Sequence, residues 1–349
     1  MKTRTIRKIL FIVMLGIFSC NEPKTVITDI VHPDGSVTRK IEMKNSENHF
    51  ELSNVQIPFD NSWKISDSIE VGEKGDTTWV KRAEKLFASV GEINDDYSRD
   101  SSVNKAIKRQ AEFKKRFRWF NTEYRFAESV DKKMNWGYPV TDFLNNEELD
   151  FFYSPDFITN VKKTGADSLK YKALADSIGK KTDMWFWKNA ASEWIGFFSE
   201  LTKGRGDSEI SFESLKKRES DFVKILERTD KTFDSLWAKG LIQKEFLGES
   251  GSVKYRKEAD SALNLTTENV FVSFKDYTQR IMMPGRLTAT NGFQDSTHML
   301  LWPVKSDYFL TEPYQMWAES RTTNSWAWIL TGIFLMFVVT GLILKVVRK

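Results

Sequence analysis

"TVITDIVHPDGSVTRKIEM", residues 25–43, alternates apolar and polar residues on either side of a proline- and glycine-containing break. Two β-branched runs around an Asp-Gly turn predict a β-hairpin. His32 stands beside Pro33 in that break and reads as a turn residue rather than a ligand. Strand-like alternation recurs in "SWKISDSIEVGEKGDTTWVKR", residues 62–82, again around glycine turns. It returns after about residue 265 in "ENVFVSFKDYTQRIMM", "PGRLTATNGF", "THMLLWPV" and "PYQMWAESRT". Pro284-Gly285 and Asn291-Gly292 punctuate those runs as turn dipeptides.

The middle of the chain has another period. "DSLKYKALADSIGKKTDMWFWKNAASEWIGFFSEL" places Leu169, Leu174, Ile178, Trp185, Trp187, Trp194, Ile195 and Phe198 at helical spacing, which predicts an amphipathic helix over roughly 166–201. Glu147 and Glu148 suit the first turn of a helix, where carboxylates meet the positive end of the dipole. Between the two regimes lies "KKRFRWFNTEYR", whose alternating Phe120, Thr122, Tyr124 and Phe126 predict a strand over 115–128, with a helix as the alternative. The order is strands, helices, strands. It predicts an α+β fold: one antiparallel sheet made by the N- and C-terminal strands, with a large helical block, about 141–263, inserted between them.

Both ends are apolar. Lys2, Arg4, Arg7 and Lys8 precede a short apolar run, Ile9 to Phe18, then Ser19 and Cys20. That run is too short to span a bilayer and reads as an export signal over 1–19. At the other end Trp326 to Leu344 carries no charge. At about 1.5 Å per residue it covers a hydrocarbon core, so 325–347 reads as a transmembrane helix. Trp326 and Trp328 mark one interface; Lys345, Arg348 and Lys349 mark the other, as basic residues do on the cytoplasmic side. The formal charge is +4, and removing these seven basic residues leaves the body at −3. The basic balance is therefore topogenic and gives no nucleic-acid footprint. The expected layout is an exported body, 20–321, on the periplasmic side of the inner membrane, with a single-pass anchor.

The chain has one cysteine, so no internal disulfide can form. Ile17-Phe18-Ser19-Cys20 resembles the signal end of bacterial lipoproteins, which implies that Cys20 is lipidated and becomes the mature N-terminus. "HPDGSVTRKI" together with "MPGRLTATNG" and "LLWPV" is similar to uncharacterised membrane-anchored lipoproteins of the Bacteroidota, and the terminal β segments distantly resemble an LppM-type domain. That resemblance implies an antiparallel sheet above a membrane. It carries over no catalytic residue. Envelope proteins of that group are O-glycosylated at Asp, then Ser or Thr, then a small aliphatic residue, Met or Thr, and the chain repeats that triplet at Asp67, Asp76, Asp167, Asp176, Asp234, Asp260 and Asp295. Thr77 and Ser296, read as loop positions, are the candidate acceptors.

Chemistry leaves few marks. His32, His49 and His298 are far apart, and none lies in a metal-binding spacing. No nucleophile elbow, Walker A loop or dinucleotide fingerprint is present, so no cofactor is implied. "GRGDS", 204–208, falls between helical patterns, where Gly and Asp serve as cap residues. The basic and aromatic residues of 114–125 read as a wet strand face with long basic stems over rings; the alternative is a surface for anionic lipid, glycan or a partner. The reading reached is a non-enzymatic envelope lipoprotein, a membrane-tethered binding or scaffold module, with a membrane protein or an envelope glycan as its partner besides lipid. The alternative is an envelope hydrolase or carbohydrate-active enzyme built from scattered carboxylates, which a cleft with two carboxylates roughly 5–10 Å apart would mark.

Overall fold

The computed structural model describes residues 24–348 apart from 51–55, 73–74, 103, 135, 155–164, 206, 271–273, 296 and 298. The fold is α+β, with sheets made from both ends of the chain, a helical block between them and a last apolar helix. The chain divides into two compact units. One comprises Pro23–Asp131, Asp276–Lys305 and Tyr314–Lys349; the other holds Lys132–Lys275 and Ser306–Pro313.

In the first unit, β1 (Lys24–Val31) and β2 (Val37–Asn45) form the expected hairpin, with Val31 opposite Val37. The turn closes because His32 N–H donates to Ser36 O at 2.9 Å and Gly35 takes φ +98°, which only glycine adopts freely. β3 (Lys64–Val71) and β4 (Thr77–Phe87) continue the sheet, and α1 (Val90–Ser98) follows. β5 (Arg109–Phe117) and β6 (Asn121–Val130) come next, then β7 (Tyr277–Met282), β8 (Arg286–Thr290), β9 (Phe293–Gln294), β10 (Leu300–Val304) and β11 (Tyr314–Thr323).

Two sheets form, not the one expected. The larger runs β3-β4-β2-β1-β7-β10-β9, and the smaller β5-β6-β11-β8. β1 pairs β7 in parallel, an exception within otherwise antiparallel ladders. Parallel neighbours need a long crossover, and the helical block between β6 and β7 supplies the length. The strand expected over 115–128 is in fact a hairpin: β5 ends at Phe117 and β6 starts at Asn121, with Arg118 N–H donating to Asn121 O at 2.8 Å across the turn. The alternation hides the turn because both arms carry aromatics.

The core of this unit lies between the sheets. Ile27, Val31, Val37, Ile41, Ala83 and Phe87 face inward from the large sheet, and Tyr124, Phe126, Val130, Met316 and Ala318 from the small one. Asn94 on α1 covers part of the β5 edge: its side chain accepts from Ala111 N–H at 2.7 Å and donates to Ala111 O at 3.0 Å.

The second unit is helical. α2 (Asn146–Phe152) opens with a capping box between Asn145 and Glu148, so Glu148 starts a helix as read. α3 (Gly165–Thr202) is the long helix expected over 166–201. The chain then forms α4 (Phe212–Lys217), α5 (Glu219–Thr229), α6 (Phe233–Ala238), α7 (Leu241–Lys254) and α8 (Arg256–Val270). α7 is kinked at Gly248, which has φ +78°. Trp194 of α3 is the hub of the core: it stacks on Phe198 at 4.7 Å, touches Phe222 and Trp237, and donates its indole N–H to Ala259 O at 3.2 Å. In GRGDS, Gly204 takes φ +83° and Asp207 caps a short turn by accepting from Glu209 N–H, as a cap reading requires.

Candidate functional site

The last helix, Ser325–Val347, has 23 residues and is long and apolar enough to cross a membrane. A helix with this composition would be unstable in water unless covered, yet of its described side chains only Ala327 is buried. The body grips its first turns. β11 ends at Thr323 and the helix starts at Ser325, leaving one residue, Asn324, as the joint. Asn324 N–H donates to Phe120 O at 3.0 Å. Its side-chain amide donates to Arg118 O at 2.7 Å and to Trp119 O at 3.3 Å, and its oxygen accepts from Thr122 Oγ1 at 3.0 Å. One short amide thus satisfies both sides of the β5–β6 turn.

Aromatic rings surround that joint. Phe117 stacks on Trp326 with ring centroids 6.2 Å apart and planes 8° apart. Trp119 meets Trp326 edge-on at 5.3 Å and donates its indole N–H to Thr331 Oγ1 at 2.9 Å. Phe120 packs on Trp328 at 4.3 Å. These five rings remain 36–57% exposed. Rings that stack and stay open, one of them with a polar handle already satisfied, form the kind of belt that favours a membrane–water boundary. Lys114, Lys115, Arg116 and Arg118 are exposed on the strand and turn that carry it. Thus the basic-aromatic stretch is both a wet strand arm and the collar of the helix; sequence reading separates it from Trp326 and Trp328 because the contact spans two hundred residues.

Other predicted positions fall elsewhere. Lys345 and Arg348 lie exposed at the far end of the last helix, while Lys349 and Cys20 lie outside the described residues. Thr77 is exposed as the first residue of β4 rather than in the loop, and Ser296 lies outside the described residues. His32 shares a hydrogen bond with Thr38 Oγ1 at 2.9 Å, His49 is exposed, and His298 lies outside the described residues. Among the described residues no three His, Cys, Asp or Glu side chains gather as a metal site.

A second cluster was not legible as such. Asp29 and Arg39 face each other across the first hairpin, both fully buried. Arg39 donates to both Asp29 oxygens at 2.7 Å and to Glu128 Oε2 at 2.7 Å. Tyr97 OH donates to Glu128 Oε1 at 2.8 Å, Arg109 also pairs with Glu128, and Gln279 Nε2 donates to Asp29 Oδ2 at 2.7 Å. Two guanidinium groups and two carboxylates therefore balance inside the sheet unit. Burial opposes the charge on Glu128, but Arg39 and Arg109 outweigh it and hold its carboxyl at about 2. Burial pushes the Asp29 carboxyl up, against Arg39, and raises the Tyr97 and Tyr277 phenols well above their usual range. The signal for this cluster was present: Asp29 interrupts the inward row Ile27, Val31, and Arg39 the row Val37, Ile41. Closed to solvent, the cluster joins the two sheets and α1 by charge-assisted bonds.

The outer face of the large sheet is wet. A shallow hollow of about 530 Å³ there is lined by residues including Thr28, Lys40, Glu42, Lys64, Arg82 and Arg280. Its charges pair across strands: Arg82 with Glu42 at 2.8 Å and Lys40 with Glu84 at 3.4 Å.

No family model matches the chain, and no curated protein matches it. Among solved structures, the NMR structure of the folded domain of the Mycobacterium tuberculosis LppM protein is weakly similar: 9% identity over 88% of this chain and 95% of that one, with a TM-score of 0.28.

Proposed function

We propose that this protein is a membrane-tethered envelope module without catalytic activity, which holds a rigid sheet body in a fixed orientation above a bilayer as a scaffold or as an accessory subunit of a membrane complex. One observation carries the reading: the joint at Asn324. A tether that only retains a protein needs no geometry, and a flexible linker would serve. Here the strand passes into the helix through a single residue; side-chain bonds lock that residue to the neighbouring hairpin, and ring contacts and the Trp119–Thr331 bond hold the first turns of the helix to the same hairpin. Such a joint fixes direction as well as attachment.

The charge pattern supports a body on the periplasmic side of an inner membrane, since Lys345 lies in the last turn of the helix and Arg348 and Lys349 follow it in sequence. The Ile17–Cys20 signature supports a lipid on Cys20 as a second anchor. A single acyl chain holds weakly and a spanning helix durably, so the lipid would add orientation more than retention. The experiment is crosslinking of the full chain in intact cells, then solubilisation, affinity capture and mass spectrometry. A stoichiometric membrane protein partner is the expected result. Recovery of the chain with lipid or glycan alone would overturn the subunit role, and hydrolysis of an envelope glycan by the purified chain would overturn the non-enzymatic reading.

A further inference from the structure

Sheet edges are normally short, bulged or covered, because a free edge recruits other strands. β9 has two residues, and Asn94 occupies part of the β5 edge. β3 is different. It has eight residues, all exposed, in unbroken register with β4 on one side, and no described strand on the other. Ile65, Ile69 and Val71 are 44–70% exposed along one face of this edge. Apolar side chains on an open, regular edge strand are a cost unless something pairs with it.

The sequence of β3 names the occupant. Residues 64–70 read Lys-Ile-Ser-Asp-Ser-Ile-Glu, a palindrome about Asp67 except for its ends, which are opposite charges. We propose that β3 pairs antiparallel with β3 of a second copy of this chain, with Asp67 on the two-fold axis. Lys64 then meets Glu70 twice, Ile65 meets Ile69 twice, and Ser66 meets Ser68 twice. The partners share a face of the sheet, as side chains opposite one another must. The interface is isologous and closes as a dimer.

Charge supports this register over its neighbours. Lys64 has no side-chain partner among the described residues, while Glu70 already accepts from Lys44 at 2.8 Å and Arg82 at 3.1 Å and keeps acceptor capacity. The two Asp67 side chains would meet at the axis, but each is already paired with its own Lys81 at 2.7 Å. Sliding the pairing by one step on the same face sets Asp67 against Ile69 or Ile65 and leaves no Lys64–Glu70 pair.

The test uses the full chain in membranes, with single substitutions Asp67→Cys, Ser66→Cys and Ser68→Cys and mild oxidation. Asp67→Cys is expected to give a disulfide-linked dimer by itself. Ser66→Cys and Ser68→Cys are expected to give one only when the two are co-expressed. A self-crosslink of Ser66→Cys or Ser68→Cys, or no dimer from any, overturns the proposal, as does crosslinking of β3 to another protein. Charge reversal gives an independent arm. K64E and E70K are each expected to weaken the dimer roughly tenfold. The double reversal K64E/E70K is expected to restore it, because opposite charges then face each other again at both ends of the paired strands. Failure of the double variant to recover, with each single variant folded, would also overturn it.

Discussion

Trp119 donates its indole N–H to Thr331 Oγ1 at 2.9 Å, which ties the tip of the β5–β6 hairpin to the second turn of the apolar helix. Together with Asn324 this makes the hairpin a bracket for the helix. N324A should remove three hydrogen bonds of the bracket while sparing hydrophobicity, and should cost about 1–2 kcal/mol of local stability. The membrane fraction should not change, since the helix still spans. Spin-label distances between β6 and the far half of the helix should broaden. A narrow distribution in N324A would show that the rings alone set the angle.

Gly285 sits in the β7–β8 turn with φ +75°. A Cβ there would lie 2.4 Å from Arg321 O and 2.6 Å from Thr322 Cγ2, both on β11. G285A therefore combines backbone strain with a clash against a main chain that cannot swing aside. The expected loss is about 2 kcal/mol or more, read by urea unfolding of the full chain in detergent. A loss under about half that figure would mean that the turn relaxes.

Much of this architecture was readable because it rests on local rules. The first hairpin follows from alternation and its turn, and α3 from spacing, and the structure places both where the sequence does. What failed was non-local. Nothing in residues 115–128 says that the aromatics of Phe117–Phe120 belong to a turn whose partners lie at 324–331. The second sheet was missed for the same reason: its strands come from 109–130, 286–290 and 314–323, and alternation reports burial of one face without naming the neighbour. The buried charges were missed because charge on a strand reads as solvated, and only the parity of Asp29 and Arg39 against their apolar neighbours says otherwise.

Lys133 in the helical unit gives a pH signature. Burial lowers its ammonium to about 8, against an opposing pull from Asp307, while in the unfolded chain it titrates near 10.5. Between these values the unfolded chain binds a proton that the folded chain has released, so this residue makes stability rise with pH across that window. Below it, the buried charge is a standing cost. K133M should thus be more stable than the parent at pH 7, and the gap should narrow from pH 8 to 10.5. Paired unfolding curves at three pH values measure the gap; a constant gap would show that burial is not what depresses this lysine.

The balanced cluster of Asp29, Arg39, Arg109 and Glu128 predicts a non-additive series. R39M leaves two buried carboxylates against one guanidinium, and D29L leaves two guanidinium groups against one carboxylate. Each should cost about 3–5 kcal/mol, the penalty for stranding a buried charge. D29L/R39M removes a cross-strand pair as a unit and keeps Arg109 with Glu128, so charge stays balanced. Its cost should fall well below either single variant, because desolvation of the ion pair disappears with the pair. E128Q is the harsher change: it keeps the shape but takes one charge from the group that Arg39, Arg109 and Tyr97 all contact. Urea midpoints for the four variants decide the matter. If D29L/R39M loses as much as the two single variants summed, the cluster acts through specific hydrogen bonds, such as Gln279 to Asp29, rather than through its balance of charge.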